Sequence, residues 1–289
     1  MLSKAIEALE DDIASLKDRT AREIKDIDAY LSQTRAKIKL RPRIIQHKGY
    51  SAFSINWQRL VFYNFATRRP VLKAIRKGRG HLVPKSRLLS HCQNCDSWET
   101  EYIWEKEQEF ARVRRKVALL SRVLTGLKRF CAAEEAGNPE QCFCNPGPGP
   151  VVNCMGTEEV VKTVVEASKS LKKRTVRVVS EINDRLAEAG QTTLRPRIVV
   201  MKRSDAFTVE WVKPNGRDPV TGEPNQREIP REGKYSMRRS RLLAHCRVCE
   251  AGEQEYVWEK ELEFTRVRKQ VDLLTQAMTA LKQYAKEAD

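Results

Sequence analysis

Leu2, Ile6, Leu9, Ile13 and Leu16 follow alternating steps of four and three, and after a shift of phase the apolar stripe resumes at Ile24, Ile27 and Leu31. Such spacing keeps one face of a helix apolar, so the first flank of the chain, through Leu31, predicts a long helix with a coiled-coil seam. The same spacing returns at Phe110, Val113, Val117, Leu120, Leu124 and Leu127, and again at Phe264, Val267, Val271, Leu274, Met278 and Leu281. A valine-rich stretch from Glu158 to Ala189 is less regular, and Val161, Val164, Leu171, Val179, Ile182 and Leu186 are its expected buried face. Between the helices the period changes. Arg43 to Gln46 and Ala52 to Trp57 are short β-branched and aromatic runs separated by Lys48-Gly49, which predicts a hairpin. Ile198 to Met201 and Phe207 to Val212 repeat it.

These patterns recur because the chain is duplicated. Arg41 to Phe130 align without a gap on Arg195 to Tyr284, displaced by 154 residues, with roughly 40 % of the pairs identical. Arg-Pro-Arg-Ile at Arg41 returns at Arg195, Trp57 as Trp211, and Ser86-Arg87-Leu88-Leu89 as Ser240-Arg241-Leu242-Leu243. The copies diverge beyond Trp57. There the first runs on through the apolar stretch Leu60 to Phe65, whereas the second has Pro214-Asn215-Gly216, Asp218-Pro219 and Gly222-Glu223-Pro224, a turn-rich loop. The Pro/Gly-rich segment from Glu135 to Asn153 excludes a helix and predicts a linker. The expected domains are therefore a first repeat, 1–134, a Pro/Gly/Cys linker, 135–154, and a second repeat, 155–289, with Met155 at the offset of Met1. Helices of about 35 residues are on the order of 50 Å long. Two of similar length flanking one unit suggest an antiparallel stem that presents a small head at its tip. The fold class is α+β: a tandem duplication in which each copy is a helical, coiled-coil-like stem carrying a basic head with a β-hairpin.

The net charge of +16 is unevenly placed. Arg41 to Ser90 contain 12 Lys/Arg and no acid, whereas Arg195 to Ala244 contain 12 Lys/Arg and 6 acids. These segments carry +12 and +6, so the rest of the chain sums to −2. A surface shaped only for solubility mixes both signs. The acid-free stretch therefore points to a polyanion partner, DNA first and RNA second. The candidate phosphate and base contacts in the first copy are Arg41, Arg43, Arg68, Arg69, Arg76, Lys77, Arg79 and Arg87. In the second they are Arg195, Arg197, Arg231, Lys234, Arg238, Arg239 and Arg241. Guanidinium groups bind phosphate bidentately and read guanine edges, and a two-stranded ribbon fits the major groove. The competing expectation is that two or three of these arginines pair with Glu99, Glu101, Glu105 and Glu109 at the top of the stem. Arg112, Arg114, Arg115 and Lys116, with Arg266, Arg268 and Lys269, are expected to pair with acids one turn earlier on an exposed helix face.

Two Cys-x-x-Cys pairs, Cys92/Cys95 and Cys246/Cys249, have a spacing that grips zinc. A closed site needs four ligands and each pair supplies two, so the heads would have to share one ion or recruit His91 or His245. The other reading is of small buried residues in a tight turn. No cofactor is certain from this pattern, and zinc is the candidate. Cys131, Cys142, Cys144 and Cys154 read as free, incidental thiols at the tether. Trp57, Tyr102, Trp104 and their counterparts Trp211, Tyr256 and Trp258 are expected in a small core where head meets stem rather than as stacking platforms for bases.

No catalytic set is legible: there is no glycine-rich phosphate loop, nucleophile elbow or His-Glu metal helix, and the chain has only four histidines. An enzyme is not expected. The first residues contain no apolar signal region and no stretch is long enough to span a membrane, so a soluble, cytoplasmic protein is expected.

A basic unit of this build, with Arg-Pro-Arg-Ile, His-Cys-x-x-Cys and Glu-Tyr-x-Trp-Glu-Lys between terminal helices, resembles the MobI group of accessory proteins for conjugative DNA transfer. The resemblance implies recognition of a transfer origin and help in assembling a relaxosome, without nuclease activity. The expected function is sequence-specific binding of double-stranded DNA by two heads on an imperfect inverted repeat, the first head anchoring, with relaxosome proteins meeting the helical stems. The alternative is a structural or adaptor protein whose stems bind partner helices and whose basic heads bind RNA or an acidic protein.

Overall fold

The computed structural model describes residues 2–34, 36, 39–46, 52–64, 69–77, 80–92, 94–137, 156–190, 194–201, 206–217, 224–246 and 251–288. The first repeat comprises helix α1 (Leu2–Gln33), strands β1 (Leu40–Gln46), β2 (Phe53–Asn64) and β3 (Arg69–Ala74), the short helix α2 (Lys85–Leu89), and the long helix α3 (Ser97–Gly137). The second repeats this order as α4 (Thr157–Glu188), β4 (Arg195–Val200), β5 (Phe207–Arg217), β6 (Pro224–Glu228), α5 (Arg239–Leu243) and α6 (Ala251–Ala288). The architecture is α+β, with long helices flanking two small antiparallel sheets of order β1-β2-β3 and β4-β5-β6.

The expected hairpins form, and both have the same register: Pro42 pairs with Trp57, and Pro196 with Trp211. Each proline sits on an edge strand, where the missing N–H breaks no ladder bond. The third strand of each sheet was not legible. In the first copy β2 runs on through Leu60 and turns back as β3, with a register shift between Leu60 and Phe62. In the second, Pro214-Asn215-Gly216 lie inside β5 rather than in a loop, and the irregularity falls between Pro214 and Arg217. Divergent sequence thus builds the same second hairpin, because main-chain pairing tolerates a bulge where side-chain patterning fails. The Lys48-Gly49 turn lies outside the described residues.

The chain forms two compact units. One holds Lys4–Thr125 with Thr279–Asp289; the other holds Glu158–Met278 with Gly126–Val152. The last turns of each long C-terminal helix therefore pack with the other repeat's residues. In the second of these units α3 and α6 approach closely at Gly126, where a Cβ would stand in ordinary contact with the Leu273 carbonyl at 3.5 Å. The linker starts later than composition suggests, since α3 stays helical through Gly137. Cys131, expected as a free thiol, is disulfide-bonded.

The helix seams are close to the predicted ones. In α1, Leu2, Leu9, Ile13, Ile24, Ile27 and Leu31 are buried, but Ile6 and Leu16 are only partly so, and Ala5 and Thr20 fill the stripe. In α4 the buried stripe starts at Val160 instead of Val161 and continues through Val164, Leu171, Val179, Ile182 and Leu186. Thr20 and Thr175 are equivalent: both are buried, and each hydroxyl donates to the carbonyl four residues back, at 2.7 Å. Their separation is 155 residues, so the N-terminal helices are offset by one residue from the displacement of 154 that relates the heads. Within the first repeat, Tyr30 packs on Trp98 and Tyr102 while Glu23 meets Lys106, which makes α1 and α3 antiparallel.

Candidate nucleic-acid interface

Each head is fastened to its stem by a buried ion pair. Trp57 is fully buried against Phe110 and donates its indole N–H to Glu107 Oε2 at 2.8 Å. Glu107 also accepts the Val83 N–H at 2.6 Å, and Arg114 closes on both its oxygens at 2.9 and 2.7 Å. Arg114 Nε donates to the Ile55 carbonyl at 2.8 Å, and its Nη1 also donates to the carbonyl of His81. The second copy repeats the set with Trp211, Glu261, Met237 and Arg268. Arg114 and Arg268 therefore do not lie on an exposed face. They sit beneath the sheet, seven residues from their carboxylates rather than one turn. Val113 and Val267, predicted in the seam, are only half-buried as a result. Trp57 and Trp211 belong to the head–stem core, as expected, whereas Tyr102, Trp104, Tyr256 and Trp258 are only partly buried at its margin.

The predicted basic residues separate by copy. In the first, Asp28 on α1 holds Arg43 at 2.8 Å and Arg41 at 3.4 Å, both half-exposed at the start of β1. The carboxylate they find is on α1 and not among the acids of α3 named above. Lys77 donates to Ser54 Oγ at 2.6 Å, and burial, reinforced by Arg114, lowers its pKa. Arg76 and Arg87 are exposed and meet no carboxylate among the described residues; Arg87 donates to the carbonyls of Arg76 and Lys77 at 3.0 and 3.4 Å. Arg68 and Arg79 lie outside the described residues, as does the side chain of Arg69.

In the second copy nearly every predicted cation has an acid beside it. Arg197 meets Glu210 at 3.3 Å, Arg231 meets Glu228 at 3.8 Å, and Lys234 meets Asp272 at 2.7 Å. Arg238 and Arg241 share Glu232, and Arg239 pairs with Glu255. Arg195 is exposed. The formal charge difference between the copies thus becomes a difference in side-chain freedom: the first head keeps uncompensated guanidinium groups and the second satisfies most of its own.

Sequence reasoning missed part of the free set. Arg59 and Lys73 face each other across β2 and β3, and with Arg76, Arg87 and His91 they line a concavity of about 480 Å3. All five lie in or next to the acid-free stretch, which was the available signal; the strand register that gathers them was not. His91 was considered only as a zinc ligand. Its Nδ1 lies 3.3 Å from Arg59 Nη1, and burial together with Arg59 lowers its pKa, so the ring is a neutral acceptor there.

The cysteine turn is tight. Cys92 N–H donates to the Leu89 carbonyl, Cys95 N–H to the Cys92 carbonyl, and Cys92 Sγ lies 3.8 Å from the Leu88 carbonyl. Burial, then Cys95, pushes the Cys92 thiol up to about 12. Cys246 is fully buried in the equivalent turn. Among the described residues no three His, Cys, Asp or Glu gather to hold a metal ion, and Cys249 lies outside them. No described helix is long and apolar enough to cross a membrane.

The chain is thus a tandem pair of α+β units, each with a basic head. The family model described as MobI protein matches residues 5–128 and 164–282. These spans cover most of both repeats, and the chain belongs to the MobI family. No curated protein and no solved structure matches it.

Proposed function

We propose that this protein is a non-catalytic, double-stranded-DNA-binding accessory factor of conjugative transfer, in which the first head anchors the phosphate backbone. Family membership ties the chain to conjugative mobilisation. The observation that carries the DNA reading is a set of cations on the first head with no acid lining their concavity among the described residues: half-buried Arg59 on β2, and exposed Lys73 on β3, Arg76 just after it and Arg87 on the short helix α2. Cations from separate elements suit a backbone, whose phosphates are spaced along a line, better than they suit one carboxylate. The second head, with its cations already paired, is suited to sequence discrimination or a protein contact. Its exposed pairs are each worth about 1 kcal/mol or less and can open when a partner replaces the carboxylate. The long helices offer surfaces for other proteins of the transfer complex.

Fluorescence anisotropy with duplex DNA, single-stranded DNA and RNA over a salt series tests this reading. With six to ten phosphate contacts the affinity for duplex should fall about a thousandfold or more between 50 and 200 mM salt. Equal preference for RNA, or a curve indifferent to salt, would reject it.

A further inference from the structure

The concavity on the first head is a built site. Arg59 and Lys73 are directly opposed cross-strand partners, an arrangement of like charges that destabilises a sheet unless something neutralises it. Arg76 and Arg87 add two more positive charges at the same rim, and no acid lines it. Two of the four are held in place by neighbouring groups. Arg87 is fixed by the carbonyls of Arg76 and Lys77, and Arg59 by His91 Nδ1. With Nδ1 accepting, the His91 proton sits on Nε2 and is a further donor.

The second copy supplies an internal comparison. Arg241 occupies the place of Arg87 and is likewise held by a backbone carbonyl, that of Pro230 at 3.2 Å. Its guanidinium also meets the carboxylate of Glu232 at 3.6 Å. At the displacement of 154, Glu232 corresponds to Gly78, so the first copy has no carboxylate to offer at that position. Lys213 and Arg227 repeat the opposed pair, with Glu228 following where the first copy has Ala74.

We propose that the concavity lined by Arg59, Lys73, Arg76, Arg87 and His91 is a receptor for a phosphoryl group, and that Glu232 fills the equivalent place in the second copy from within the chain. Planar guanidinium forks match tetrahedral phosphoryl oxygens, and four cations suit a multiply charged anion. For the source of that group the inference rests on the DNA-binding reading, where it is a backbone phosphate; the site itself stands on the geometry above. A free phosphate ester has the same chemistry.

The test uses the full chain and two probes, pyrophosphate by calorimetry and a duplex oligonucleotide by anisotropy. Wild type should bind one pyrophosphate, Arg87→Gln should weaken it about tenfold or more, and Arg241→Gln should leave it unchanged. Glu232→Ala should open a second, weaker site. Because Arg87 also braces two carbonyls, Lys73→Gln, on an exposed side chain, repeats the test without that risk, and thermal melting verifies folding. Unchanged pyrophosphate binding in folded Arg87→Gln and Lys73→Gln, or an equal loss in Arg241→Gln, would overturn the site. Parallel loss of pyrophosphate and duplex binding supports the site with backbone phosphate as its ligand. Loss of pyrophosphate alone supports the site and assigns a free phosphate ester. Pyrophosphate binding by a protein that ignores duplex DNA supports the site while overturning the DNA reading.

Discussion

Trp57 Nε1 donates to Glu107 at 2.8 Å and, one repeat later, Trp211 Nε1 donates to Glu261 at 2.9 Å. In each case the carboxylate is buried, also accepts a backbone N–H, and is clasped by an arginine seven residues on. A buried charge is tolerable only when paired and fully hydrogen-bonded, and here one carboxylate joins the central strand, the segment before the short helix and the long helix.

Removing one partner leaves the other charged and unsatisfied. Glu107→Gln or Arg114→Met is expected to lower stability by about 3–5 kcal/mol, read from urea unfolding. The double variant Glu107→Gln, Arg114→Met should cost less than the sum, since it leaves no orphaned charge. Strict additivity would argue that the pair is not coupled.

Glu23 lies between Glu109 and Lys106, and its pKa is raised to about 7 by burial and by hydrogen bonding to Glu109, against the lowering effect of Lys106. A folded pKa above the unfolded value means that the native state holds the proton longer. Between about pH 4.5 and 7 this group's contribution to stability is therefore lost as pH rises. Glu109, whose pKa is lowered, acts in a different window: its contribution is fully present above about pH 4.5 and is lost only as pH falls below that. Glu23→Gln should flatten the profile and raise stability at pH 8 by on the order of 1 kcal/mol, a figure reduced for the side chain's partial exposure. Unfolding curves at pH 5 and 8 measure it, and an unchanged slope in the variant would count against the assignment.

Asp28 restrains both Arg41 and Arg43 at the entry to the first sheet. Asp28→Asn is expected to change stability by less than about 1 kcal/mol, because all three side chains are partly solvated. The same change should tighten duplex binding a few-fold at low salt by freeing two guanidinium groups. Weaker binding in the folded variant would mean that Asp28 presents the arginines instead of withholding them.

The Cys92 thiol, pushed up to about 12 by burial and Cys95, should react slowly with iodoacetamide at pH 8 in the native protein and readily after unfolding. Since the folded pKa exceeds the unfolded one, its contribution to stability is present below about pH 9 and is lost as pH rises toward 12. Mass spectrometry of the alkylated peptide measures the protection. It is expected to persist in EDTA; protection that a chelator abolishes would assign Cys92 to a metal ion.

Each compact unit contains residues from both sides of residues 138–155. Proteolytic cutting there should yield two fragments that elute together in gel filtration and separate in denaturant. Separation under native conditions would contradict the exchange of helix ends.

Helix periodicity, the first hairpin of each sheet and the duplication were all legible in the sequence, because each depends on local spacing that the second copy repeats. The acid-free stretch likewise located the excess of formal positive charge in the first head. What the sequence could not decide is which cations remain free. Arg41 and Arg43 look like exposed readers until the fold brings Asp28 beside them, and Arg114 looks like a surface residue until Trp57 and Glu107 enclose it. Those outcomes depend on partners 7 to 59 residues away in the chain, chosen by packing rather than by adjacency. The cationic concavity is of the same kind: composition supplied the charges, but only the pairing of β2 with β3 sets Arg59 against Lys73. Local spacing fixes elements because it acts within one or two turns of chain, whereas side-chain freedom is a property of three-dimensional proximity.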